Sequence, residues 1–139
     1  MHTTFYWPML ALVLLTAVIW AMAVGRRVRE IRRRRLPLQS LARARDVAVA
    51  FEDSQVMDNL NNLLQMPVLF YVACLALAQI GAASLPLLGL AWAYVLLRVA
   101  HTVIQVTSNR VRHRFYVWMT SCLALFGLWA GLAVQLGSA

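Results

Sequence analysis

"FYWPMLALVLLTAVIWAMAVGRRVREIRRRR", residues 5–35, sets an uncharged apolar run directly against ten residues of which seven are arginine. The run from about Phe5 to Val24 matches the roughly 20 residues that a bilayer-spanning helix needs. Tyr6 and Trp7 suit an interface, and Pro8 is tolerable in a first helical turn. The arginine run cannot cross a membrane. It is expected to carry the helix beyond the bilayer until Pro37 stops it. Because the positive charges follow the apolar run instead of preceding it, the segment reads as a retained anchor and not as a cleaved leader.

Outward from this stretch, the 139-residue chain is 62 % hydrophobic, well above the roughly 45–50 % of soluble domains. Further apolar spans read at about 58–81, 85–107 and 115–136. Their connections are about 25–57, a short "GAASLP" turn and 108–114. The expectation is an all-α membrane bundle of four helices, up and down, forming one domain over 1–139. The connection at 25–57 mixes Arg43, Arg45, Asp46, Glu52 and Asp53 with small apolar residues and reads as partly helical.

There is no lysine, and twelve of the thirteen arginines fall in two of these connections. By the positive-inside rule those loops are cytoplasmic and both termini lie outside, with a bacterial inner membrane the expected location. Arginines placed this way set topology and meet anionic headgroups, so membrane lipids are expected partners and nucleic acid is not. Cys74 and Cys122 sit deep in apolar segments, where cysteine commonly serves as a small packing residue. The sequence offers no cluster with metal-ligand spacing, no carboxylate pair at membrane depth and no phosphate loop.

Polar residues inside the spans each need a reason, because insertion scales charge about 2.5–3.5 kcal/mol for an ionised side chain at a helix centre. Arg98 lies roughly 18 Å from the level of Arg110 at 1.5 Å per residue. At 100° per residue, Tyr94, Arg98, His101 and Gln105 share one face, with Asn109 close to the same line. On the second span Asp58, Asn62 and Gln65 recur at helical spacing. Two such stripes at overlapping depth, with Arg110, Arg112 and Arg114 at the mouth, suit an anionic ligand bearing several carboxylates. The competing reading is a buried structural network that ties helices together.

"LLRVAHTVIQVTSNRVRHRFYVW", residues 96–118, with "NLNNLLQMPVLFY", residues 59–71, resembles the membrane-associated proteins in eicosanoid and glutathione metabolism, the MAPEG family. The resemblance implies a homotrimer of four-helix protomers and a glutathione site on the cytoplasmic side. It also implies roles. Arg98 and His101 match positions that hold the tripeptide's carboxylate or line its site, and Asn62 matches an asparagine of the second helix. Arg114, or Arg112 in another loop register, matches the arginine that stabilises the thiolate. A guanidinium beside a thiol favours the nucleophilic anion. The chain departs from the pattern at Asp58 (usually arginine), Gln65 (usually glutamate) and Gln105 (tyrosine in better-known members).

These readings lead to a glutathione-dependent transferase or peroxidase acting on a lipophilic electrophile. In it Arg114 or Arg112 would be catalytic, and Arg98, His101, Asn62, Gln65, Gln105, Tyr94 and Asp58 would form the binding site. The alternative is a non-catalytic scaffold or lipid-binding trimer without glutathione binding. A small drug exporter is disfavoured because the first span carries no carboxylate for proton coupling.

Overall fold

The apolar stretches become helices because a bilayer offers no water to backbone N–H and C=O groups, and a helix satisfies them within one segment. The computed structural model describes residues 3–51, 54–82 and 84–137, and among these every regular element is helical. Four helices are long and apolar enough to cross a membrane. The first is α1, Tyr6–Arg34; a short α2, Ala44–Ala50, lies in the connection that follows. The second span is built from α3, Gln55–Gln65, and α4, Pro67–Gln79; the third is α5, Leu85–Val106, and the fourth α6, Val111–Gly137.

A single stripe of α1 is inward. Pro8, Leu12, Ile19 and Ala23 are buried, continuing the line of Phe5 in the turn before it. The remaining apolar surface of the helix is open, with Leu14 and Trp20 both more than half exposed. The same inversion marks Leu96, Leu123 and Val134 on the other spans. So much exposed apolar surface would be untenable in water and is what lipid-facing helices require.

α1 runs unbroken through Gly25 and ends only at Arg34. Arg35 takes a left-handed conformation (φ 51°), Leu36 N–H bonds back to Ile31 C=O at 3.1 Å, and Pro37 continues extended. The arginines divide by helical period. Arg27 and Arg34, seven residues apart, hold the connection: the Arg27 guanidinium lies 4.9 Å from the Phe51 ring centre, and Arg34 donates to Ala50 C=O at 2.6 Å. Arg29 and Arg32 are exposed. Glu52 and Asp53 lie outside the described residues.

In the second span Pro67 lacks the N–H that would reach back to Leu63, so the ladder is interrupted at Met66. Gly81, with φ 70°, closes α4 in a left-handed turn, and Ala82 N–H returns to Leu77 C=O at 3.1 Å, an ending that favours glycine.

The second and third spans form the middle of the bundle. α1 contacts α3, α4 and α5, whereas α6 contacts α4 and, most extensively, α5. Gly127 and Gly131 permit that close approach: a Cβ at Gly131 would stand 2.2 Å from Leu87 Cδ2, and one at Gly127 3.4 Å from Leu90 Cδ1. Of the small residues in the second span, Ala73 and Ala78 are buried in the core.

Gly131→Val is therefore expected to lower stability by about 1–3 kcal/mol through overpacking, read as a fall in unfolding temperature in detergent. Gly89→Ala, where an added Cβ meets nothing within 4 Å, should leave that temperature unchanged or raise it.

Candidate functional site

The buried face of α5 is unusual for a membrane span. Tyr94, Arg98, His101, Thr102 and Gln105 are all buried, at spacings of four, three, one and three residues, so one face of the helix is polar over three turns. Leu96, Val99 and Val103 of the same turns are exposed, which inverts the ordinary soluble pattern.

Arg98 is 1 % exposed. Its Nη2 donates to the backbone carbonyl of Asn62 at 3.0 Å, one turn before the interruption at Pro67. Its Nε is buried without a partner. At the arginine end Glu30 pairs with Arg33 and Arg34, and among the described residues no carboxylate pairs with Arg98. Tyr94 and Cys122 lie within electrostatic range of this guanidinium, and His101 lies within range of both Arg98 and Arg114. Tyr94 stacks on Phe70 with ring centres 4.7 Å apart, which fixes the phenol while its hydroxyl lacks a partner.

Two further bonds cross the α3–α5 seam. Asn62 Nδ2 donates to Gln105 Oε1 at 3.4 Å, and Thr102 Oγ1 donates to Asn59 Oδ1 at 3.3 Å. Each replaces the missing water with an amide or hydroxyl, as polar groups in membrane bundles must.

The structure thus gathers Tyr94, Arg98, His101, Gln105 and Asn62 in one region and leaves two other expected residues apart. Asp58 and Gln65 are exposed on the outer face of α3, and Asp58 Oδ2 accepts the Ser54 hydroxyl at 2.7 Å. The inward polar residue on α3 is Asn59, fully buried between Val56 and Leu63. Its signal was in the sequence. Val56, Leu60 and Leu63 define the apolar side of α3, and Asn59 falls on that side, whereas Asp58 and Gln65 fall on the other.

The two candidate catalytic arginines, Arg114 and Arg112, differ in setting. Arg114 is half-buried and its Nη1 donates to Asn109 Oδ1 at 2.8 Å. Asn109 takes φ 45° and its N–H returns to Ile104 C=O at 2.8 Å, so the turn that ends α5 also anchors Arg114. Arg112 is exposed and, with Arg110, His113 and Tyr116, lines a basic groove of about 480 Å³. An apolar groove of about 320 Å³ lies between α1 and the second span, lined by Val13, Thr16, Trp20, Leu64 and Tyr71 among others.

Chemically, the region offers one buried guanidinium, an imidazole and a phenol at membrane depth, and an anchored second guanidinium at the arginine end. Asn109→Ala, which removes the Arg114 acceptor and places an ordinary side chain in a left-handed turn, is expected to cost about 1–2 kcal/mol. Asn109→Gly keeps the turn and should cost less. The comparison is made by thermal unfolding of the two variants in the same detergent.

A family model described as the MAPEG family matches residues 4–134. No curated protein and no solved structure matches the chain.

Proposed function

The chain belongs to the MAPEG family, and on that footing we propose that it is a glutathione-dependent transferase or peroxidase that works on lipophilic electrophiles delivered by the bilayer. The family includes glutathione transferases and peroxidases. The observation that carries the reading is the buried Arg98, a guanidinium that meets a neutral carbonyl and keeps an unpartnered Nε–H. A carboxylate of the tripeptide supplies the acceptor and the opposite charge together.

The residues fit such a guest as donors. Arg98 Nε and His101 Nδ1 are buried and unpartnered, and a carboxylate accepts from both. Asn62 and Gln105, already bonded to each other, set the wall along which the peptide backbone lies. Arg114 is the better thiolate partner than Arg112, because Asn109 holds it in a fixed geometry while Arg112 is exposed. When bound, glutathione contributes its thiolate, whose sulfur forms the new bond to the electrophile while the displaced electron pair leaves with the leaving group.

The arginine-bearing end is cytoplasmic in this reading, where glutathione is dissolved, and three protomers assemble so that Asp58 and Gln65, outward on α3, meet a neighbour. A second reading, a non-catalytic trimer, draws on those same two exposures: they remove a carboxylate and an amide from Arg98's surroundings within one protomer.

The intact protein in detergent should give saturable heat on titration with glutathione, and Arg98→Leu should abolish it. Arg114→Ala should keep the heat while lowering thiolate absorbance and turnover about a hundredfold, the scale for losing one preorganised charge-stabilising donor. No heat at millimolar glutathione, with the oligomer intact, would replace this reading with the non-catalytic one.

A further inference from the structure

Five buried side-chain atoms among the described residues lack a hydrogen-bond partner: Asn59 Nδ2, Tyr94 Oη, Arg98 Nε, His101 Nδ1 and Trp129 Nε1. Each is a hydrogen donor or, for the imidazole, a donor in one tautomer, and no side-chain carbonyl or carboxylate oxygen is among them. Trp129 belongs to α6. The other four sit on the α3–α5 seam, three of them on the single polar face of α5.

That seam also carries a full charge. Arg98 donates to a neutral carbonyl, and the carboxylate of Asp58 is exposed and bonded to Ser54. Burying an uncompensated guanidinium is costly. A neutral acceptor would satisfy the donors and leave the charge, whereas an anion does both. The seam is closed, with Asn59, Tyr94, Arg98 and His101 each at most 2 % exposed, so the acceptor has to be small.

We propose that Arg98, Tyr94 and His101, with Asn59, form an internal site for a small monovalent anion of the halide class, the counter-ion of the guanidinium when no carboxylate-bearing ligand is bound. The site shares Arg98 and His101 with the glutathione reading but rests on the donor set and the unpaired charge. An anion there keeps the guanidinium ionised and inward, and a ligand carboxylate takes its place by exchange when the α3–α5 seam opens to admit it. Ligand binding then replaces one anion with another, without drawing a bare charge out of its surroundings.

The test uses the full chain purified in gluconate and titrated with bromide. Binding to the folded state raises the unfolding temperature saturably, and a bromide-soaked crystal should show an anomalous peak within hydrogen-bonding distance of Arg98. Tyr94→Phe keeps the stack on Phe70 and removes one donor to a charged acceptor, so the half-saturating bromide concentration should rise about tenfold. Arg98→Met should lose the response; if that variant fails to fold, Tyr94→Phe and the anomalous peak decide. Equal responses to gluconate and bromide, or density at Arg98 without anomalous signal, overturn the proposal. Calorimetry with glutathione in both salts separates the two readings. Bromide binding without glutathione heat leaves the anion site and removes the glutathione role, while glutathione heat that bromide does not weaken does the reverse.

Discussion

A guanidinium inside an apolar bundle dictates what its neighbours can be. Arg98 cannot reach the headgroups from its depth, so the helices around it must supply acceptors, and the sequence supplies them sparingly: one backbone carbonyl from α3, while the side-chain amides of Asn59 and Asn62 along the same seam bond to Thr102 and Gln105. The polar face of α5 exists because of this residue. Tyr94, His101 and Gln105 would be expensive individually against lipid, but they lie on the face that Arg98 already commits to the interior, where Gln105 and Arg98 both bond to Asn62. The α5–α6 hairpin, closed by two glycines, then leaves that face turned toward α3.

Most of this architecture was legible in the order of residues. Apolar length and arginine placement give the helices, since neither a run such as 5–24 nor a run such as 26–35 has another stable setting in a membrane protein. The stripe on α5 was legible for the same reason: its polar residues are few, so their period stands out against an apolar background. α3 was harder. There polar residues predominate, and following them selected Asp58, Asn62 and Gln65, whereas the scarcer apolar residues Val56, Leu60 and Leu63 mark the buried side and bring Asn59 inward. In each helix the minority class carries the information about which face is inside.

Two local features depend on backbone geometry that composition does not announce. The break at Met66 follows from Pro67, yet nothing in the sequence says that the carbonyl one turn earlier becomes the acceptor for a residue thirty-six positions away. The anchoring of Arg114 needs Asn109 in the left-handed region, a conformation asparagine tolerates better than most residues but does not require. Such contacts belong to the tertiary arrangement and emerge only when the helices are placed side by side.

The unbroken passage of α1 through Gly25 makes the first span a stiff rod that projects about 15 Å past its apolar portion at 1.5 Å per residue. Because Arg27 and Arg34 clasp Phe51 and Ala50, the projecting part does not swing alone. Because α1 also packs along α3, a change of lipid thickness that leans the rod is passed to the turns bearing Asn59 and Asn62. The lipid environment thus has a mechanical lever on the polar seam, one whose pivot is the bilayer surface itself.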